Sequence, residues 1–264
     1  SLLDHHTYSY EAARPALELL EQLRVPVVLA SSKTRAEMQA LRDELENEHP
    51  LIVENGAAVL VPDRYFPAPP EDCFARDGYW VKEFAPAREA WVPLLESLRQ
   101  QYPDQFMDFA TAGVEEIARM TGLSPEQAAL ANEREYSEPI QWRGSDAERD
   151  EFLEALADGG GRALQGGRFI SLAGDCDKGQ AWAWLRQCYA LAAGGAPVYD
   201  LALGDGHNDV PMLELAHRAV VIPAPDRAPP EVRRDEGVVS VDGLGPEAWA
   251  AGVREWLREL YSRT

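Results

Sequence analysis

The sequence predicts an α/β protein with a parallel sheet covered by helices, and three observations predict it. Short, almost wholly apolar runs at residues 25–30 and 198–203 have strand length and alternate with amphipathic helical segments. A strand apolar on both sides belongs inside a parallel sheet, because crossover helices cover both of its faces. The same alternation occurs near both ends of the chain around a differently patterned middle, which predicts one core with an insertion.

The elements follow in order. Residues 11–24 place Ala13, Leu17, Leu20 and Leu23 at helical spacing, and the run 25–30 is the first strand. Residues 35–48 return to helical spacing through Met38, Leu41 and Leu45. Strands at 51–53 and 57–61 flank the turn Glu54-Asn55-Gly56. Residues 62–77 are rich in Pro and charge and read as a surface connection. From about 85 to 174, helices and short strands succeed one another without long apolar runs. Ser124-Pro125-Glu126-Gln127 and Ser145-Asp146-Ala147-Glu148 are capping boxes that start helices. Segments 162–165 and 169–172 read as a hairpin across Gly166-Gly167. The last third gives a helix at 179–193, strand 198–203, helix 209–216, strand 219–222 and a final amphipathic helix at 246–261. The predicted organisation is a core over 1–84 and 175–264 with an α+β insertion over 85–174.

The 264 residues carry 25 Lys+Arg against 45 Asp+Glu, a net charge of −20. So acidic a surface repels nucleic acids and anionic membranes, whose affinity depends on Lys and Arg neutralising phosphates. An anionic substrate then needs local positive charge from a metal or from particular Lys and Arg side chains. The cysteines Cys73, Cys176 and Cys188 are odd in number and widely spaced, which supports neither a disulfide framework nor a paired metal motif and suits a cytoplasmic setting. No apolar run approaches the ~20 residues needed to span a bilayer, so no membrane partner is expected. The histidines show no metal-ligand spacing, and Cys176 reads as an inert neighbour.

Three constellations carry chemistry. In Leu201–Leu213, LALGDGHNDVPML, an apolar strand runs into Gly204-Asp205-Gly206 and a helix begins near Asn208-Asp209. Ligands of parallel sheets sit beyond the carboxyl ends of strands, where this places Asp205 and Asp209. Two carboxylates across a tight turn suit Mg²⁺; the alternative is a Gly-Asp turn with Asp209 supporting a helix start. Ser31-Ser32-Lys33-Thr34 also follows an apolar strand, and hydroxyls, helix-start N–H groups and a Lys suit a phosphate, with ordinary helix capping as the alternative. Asp175-Cys176-Asp177-Lys178-Gly179 puts a Lys at a helix start against the macrodipole; either it reaches a phosphate or it is a solvated Lys paired with Asp175 or Asp177.

In this order Ser31, Lys178 and the GDGHND loop resemble the haloacid dehalogenase superfamily of phosphatases. Ser31-Ser32-Lys33-Thr34, Glu54-Asn55-Gly56, Arg134-Glu135-Tyr136, Gly166-Gly167-Arg168-Phe169 and Asp177-Lys178-Gly179 resemble, more narrowly, the mannosyl-3-phosphoglycerate phosphatase family. The resemblance implies a Rossmann-like core with an inserted α+β cap of the C2B type, Mg²⁺ held by Asp205 and Asp209, and Ser31 and Lys178 on the phosphoryl oxygens. Lys33, Asn55, Arg134, Arg168 and Asn208 become candidates for contacting a small phosphorylated sugar acid, either mannosyl-3-phosphoglycerate or a relative such as glucosyl-3-phosphoglycerate. Such enzymes open with a DxDG[ST] loop whose first Asp is the nucleophile and second the acid/base. Ser1-Leu2-Leu3-Asp4 matches only the tail of that motif, so a preceding strand and loop are expected. Without them the chain would lack a central strand and be a non-catalytic binder of phosphorylated sugars.

Overall fold

An apolar run becomes a strand only where a neighbouring strand completes its hydrogen bonds. In a computed structural model of the chain, which describes all residues except His6, Gly166, Gly167, Asp226, Asp235, Arg263 and Thr264, this condition sets the bounds of every strand. The strands are β1 (Leu29–Ala30), β2 (Leu51–Val53), β3 (Ala58–Pro62), β4 (Phe74–Arg76), β5 (Tyr79–Glu83), β6 (Phe106–Asp108), β7 (Glu138–Trp142), β8 (Arg162–Gln165), β9 (Ile170–Ala173), β10 (Leu201–Gly204), β11 (Arg218–Val221) and β12 (Val238–Ser240). The helices are α1 (Arg14–Gln22), α2 (Arg35–Glu44), α3 (Val92–Gln101), α4 (Phe109–Thr121), α5 (Pro125–Asn132), α6 (Asp146–Asp158), α7 (Lys178–Ala192), α8 (Val210–Leu215) and α9 (Gly245–Ser262).

The chain divides into two compact units. One comprises Ser1–Val28, Phe66–Ala68 and Lys178–Thr264, and the other Leu29–Tyr65 and Pro69–Asp177. The first holds the parallel sheet β10-β11-β12, with β10 at one edge. Ala13, Ala16 and Leu20 beside α1, Val220 and Ile222 from the sheet, and Trp249, Val253 and Leu257 of α9 form its core. Helix α7 meets α8 through Gly179, where an added Cβ would stand 2.8 Å from the Pro211 carbonyl oxygen.

The second unit holds two sheets. The five-stranded sheet has the order β1-β2-β3-β5-β4, parallel between β1 and β2 and antiparallel elsewhere. The four-stranded antiparallel sheet runs β6-β7-β9-β8. Its side chains alternate between two apolar clusters: Phe106, Ile140, Ile170 and Leu172 pack with α3 and α6, while Met107, and Phe169 just before β9, pack with α4 and α5. Both predicted capping boxes form, at Ser124 and at Ser145.

The expected first strand over 25–30 contracts to Leu29–Ala30. Its pairing with β2 joins Leu29 to Leu51 and Ala30 to Ile52, and Pro26 offers no N–H to a ladder. The expected surface connection over 62–77 contains β4, which pairs with β5 around Asp77-Gly78. Both turn residues have positive φ, 49° and 81°, the geometry for which Asp-Gly is favoured in a two-residue hairpin. Strands β8 and β9 pair as the sequence suggests, and the Gly166-Gly167 turn lies outside the described residues.

The α7–α8 contact makes a stability prediction. Gly179→Ala forces a methyl against the Pro211 backbone and destabilises the fold by about 1–3 kcal/mol, despite the ~1 kcal/mol better helix propensity of Ala. Urea unfolding of the variant is expected to give a lower midpoint with an unchanged slope, and an equal or higher midpoint contradicts the close approach.

Candidate active site

Strand β10 ends at Gly204, where a Cβ would stand 2.5 Å from the Cβ of Asp209, so only glycine lets the chain turn this tightly. Asp209, 5% exposed, closes the turn: its Oδ2 accepts from the backbone N–H groups of Asp205 and Gly206, both at 3.0 Å. Its Oδ1 accepts from Lys178 Nζ at 2.5 Å, and Lys178 is 4% exposed. The alternative of a solvated surface Lys178 does not hold, since the side chain is buried against Asp209. Arg162 pairs with both Asp175 and Asp177, and Lys178 is buried because Asp209 compensates its charge.

With Asp209 engaged on both oxygens, Asp205 is the carboxylate that points outward. Its Oδ1 lies 3.0 Å from the α-amino nitrogen of Ser1, and its Oδ2 accepts from Arg227 Nη2. Burial by itself raises the Asp205 pKa, and the Arg227 guanidinium beside it works in the opposite direction. Asp205 also lines a small pocket with Leu3, Asp4, Pro223 and Leu244. The donor set is one outward carboxylate backed by a second that fixes its loop. That is a hard-oxygen set suited to Mg²⁺, which takes one or two carboxylates and completes its shell with water and phosphate. Among the described residues no group of three or more His, Cys, Asp or Glu gathers into a metal cage. Asn208 lies in the same turn, between His207 and Asp209.

The second unit gathers Ser31, Lys33, Asn55 and Arg134. Ser31 extends the ladder past β1, its N–H donating to the Ile52 carbonyl and its own carbonyl accepting from Asn55 N–H at 2.9 Å. Its hydroxyl oxygen accepts from Lys33 N–H at 3.2 Å, and Glu54 N–H donates to the Lys33 carbonyl. Lys33 Nζ lies 3.4 Å from Glu37. The helix cap is Thr34 rather than Ser31 or Ser32: Thr34 and Glu37 form a reciprocal capping box, and the Thr34 hydroxyl also donates to the Leu130 carbonyl. Arg134 Nη1 donates to the Ser32 carbonyl at 2.8 Å. Arg168 is exposed between β8 and β9, and no hydrogen bond or ion pair joins it to this group among the described residues. Cys176 is buried and its thiol is pushed up to about 11 by burial, which leaves it protonated and unreactive.

Sequence reasoning missed Thr34 as the cap, although the spacing Thr34-Arg35-Ala36-Glu37 announces it. It read Glu54 only as a turn residue, and it passed over Arg227 in a Pro-rich segment; neither has a local signal, since their partners lie far along the chain.

A scan against protein-family models finds no match. Among curated proteins, the chain is 34% identical over 250 residues, 94% of this chain and 91% of the relative, to a glucosyl-3-phosphoglycerate/mannosyl-3-phosphoglycerate phosphatase of Methanococcoides burtonii. It is 36% identical over 218 residues, 81% of this chain and 84% of the relative, to a mannosyl-3-phosphoglycerate phosphatase of Pyrococcus horikoshii. Solved structures with a similar fold include a haloalkanoate (HAD) superfamily phosphatase of Bacteroides thetaiotaomicron, with TM-score 0.63, 16% identity and coverage of 98% of this chain and 90% of that one. Another is a HAD subclass IIB sugar phosphatase, with TM-score 0.56, 17% identity and coverage of 83% and 82%.

The buried ion pair makes a prediction. Lys178→Met leaves the Asp209 charge buried without its cation and costs about 3–5 kcal/mol, while Lys178→Met combined with Asp209→Asn costs less because no lone charge remains. Chemical unfolding of both variants checks this, and a double variant less stable than the single one contradicts it.

Proposed function

Because the chain belongs to the mannosyl-3-phosphoglycerate phosphatase family, with the fold of the haloacid dehalogenase superfamily, we propose that it hydrolyses mannosyl-3-phosphoglycerate to mannosylglycerate and phosphate with Mg²⁺ as cofactor. The chain is a phosphoric monoester hydrolase of the sugar-phosphatase kind. The observation that carries the finer reading is Asp205, held outward at the carboxyl end of a parallel strand by a buried Lys178–Asp209 pair.

Asp205 would hold Mg²⁺, and Asp209 would orient that loop from behind. The ion supplies charge compensation between an anionic nucleophile and an anionic phosphate. Lys178 has spent one N–H on Asp209 and has further donors for a phosphoryl oxygen. The Ser31 hydroxyl, turned back over Lys33 N–H at the approach to α2, is suited to a second phosphoryl oxygen. Lys33, Asn55 and Arg134 are proposed contacts to the acid and sugar of the substrate, as are Arg168 and Asn208. An aspartyl-phosphate route splits one hard hydrolysis into two easier steps and requires the DxDG pair, which is not among residues 1–264.

One curated relative is named for both the glucosyl and the mannosyl ester, which supports glucosyl-3-phosphoglycerate as a second substrate. Side-by-side kinetics of the full chain encoded by the gene on the two esters, with and without Mg²⁺, test the proposal. Phosphate release is expected only with the cation. Asp205→Ala is expected to lower kcat/KM by more than about 100-fold, since even residues behind a metal ligand cost 10–100-fold. Undiminished turnover in that variant removes the metal role of Asp205, and no release from either ester removes the substrate assignment.

A further inference from the structure

We propose that Glu54 is a positioning residue: through the Ser137 hydroxyl it fixes the Arg134 guanidinium so that one edge stays open to the carboxylate of the substrate. The proposal rests on the phosphatase reading for the class of ligand and on the geometry of one unit for the rest.

Glu54 is 1% exposed. Its Oε1 accepts from Glu135 N–H at 2.8 Å, and its Oε2 accepts from Tyr136 N–H at 3.3 Å, from Ser137 N–H at 2.8 Å and from the Ser137 hydroxyl at 2.5 Å. Three consecutive amides and a hydroxyl thus converge on one buried carboxylate, a nest that fixes residues 135–137 as a unit. Arg134, next to that nest, is fixed in turn by neutral acceptors. Its Nε donates to the Ala131 carbonyl at 3.1 Å, and its Nη1 to the Ser32 carbonyl at 2.8 Å and to Ser137 Oγ at 3.2 Å. Ser137 Oγ therefore relays the two groups, donating to Glu54 while accepting from Arg134. A hydroxyl committed to a carboxylate is a better acceptor for its other neighbour.

The guanidinium so held is not neutralised. Among the described residues no Asp or Glu lies within ion-pair distance of it, in a chain with 45 acids and 25 bases. Other arginines of the chain sit against carboxylates, as Arg88 does against Glu138 and Arg186 against Asp200. The two N–H groups of Arg134 Nη2 have no protein acceptor among the described residues. A planar cation fixed on one side with donors free on the other is pre-organised for a carboxylate, and the ordering entropy is met on folding rather than on binding.

Binding to the full chain encoded by the gene tests this without requiring turnover. Calorimetry on the unmodified protein, Glu54→Gln, Ser137→Ala, Arg134→Ala and the Ser137→Ala/Arg134→Ala pair would use 3-phosphoglycerate and inorganic phosphate as probes. The unmodified protein is expected to bind 3-phosphoglycerate more tightly than phosphate. Glu54→Gln and Ser137→Ala should each raise the ratio of the two Kd values about tenfold, the size of one charge-assisted contact. Ser137→Ala should add nothing once Arg134 is Ala, because its effect passes through that guanidinium. Equal weakening toward both probes, or an additive loss in the double variant, overturns the positioning role. If Glu54→Gln loses cooperative unfolding, Ser137→Ala decides alone. No preference for 3-phosphoglycerate in the unmodified protein also overturns the proposal, whereas the hydrolysis assay judges the phosphatase reading separately.

Discussion

A carboxylate taken out of water must find a donor for each of its oxygens, or the fold loses more than the burial gains. Of the buried carboxylates, Asp209 in one unit and Glu54 in the other lie among the candidate residues, which are arranged by how this constraint is met. Asp209 is satisfied by Lys178 and by two amides of the loop that follows β10, so the loop curls back and leaves Asp205 facing outward. Glu54 is satisfied by three amides and a hydroxyl of residues 135–137, so the segment between α5 and β7 is drawn to the loop after β2. In both places the buried acid shapes the backbone beside a second charged side chain, Asp205 in one and Arg134 in the other.

This arrangement resolves the conflict between a net charge of −20 and an anionic substrate. Screening reduces the field of dispersed surface acids over roughly 8–10 Å at physiological salt, so contacts at close range decide binding. The local cations are not equivalent. Lys178 is compensated by Asp209 at 2.5 Å and acts through directed N–H donors more than as a net charge. Arg134 is held by carbonyls and a hydroxyl, which fix its position without cancelling its charge.

Helices, and strands with apolar patterns, were legible because periodicity and caps are local. The capping boxes at Ser124 and Ser145 form as the sequence indicates, and the turn of Asp205 and Asp209 follows strand β10 as expected. Strand limits were less legible, because a ladder depends on its neighbour: residues 25–28 are as apolar as Leu29–Ala30, but the pairing with β2 covers Leu29 and Ala30. The β4–β5 hairpin was passed over although Asp77-Gly78 signals it, since charge and proline in the flanking segment masked its short alternation. Lys178 was singled out by its misfit with the helix dipole, yet its partner Asp209, 31 residues away, is visible only in three dimensions. Glu54 illustrates the limit most sharply. A glutamate in Glu54-Asn55-Gly56 reads as a solvated turn, and nothing nearby in sequence reveals that residues 135–137 bury it.

The backbone at that turn carries a further argument. Glu54, Asn55 and Gly56 have φ values of 47°, 62° and 94°, and two of the three are not glycine. A left-handed conformation costs an ordinary residue roughly 1–2 kcal/mol, so a single glycine-rich turn would be the less strained way to join β2 to β3. The strain persists because the surroundings over-determine it. Glu54 N–H is taken by the Lys33 carbonyl, Asn55 N–H by the Ser31 carbonyl, and the Glu54 carboxylate by residues 135–137. A turn that served only to connect two strands would not need a buried acid at a left-handed position. One that must hold the loops of Ser31, Lys33 and Arg134 in fixed relation does, because the backbone N–H groups of Glu54 and Asn55 tie it to the first loop while the Glu54 carboxylate gathers residues 135–137.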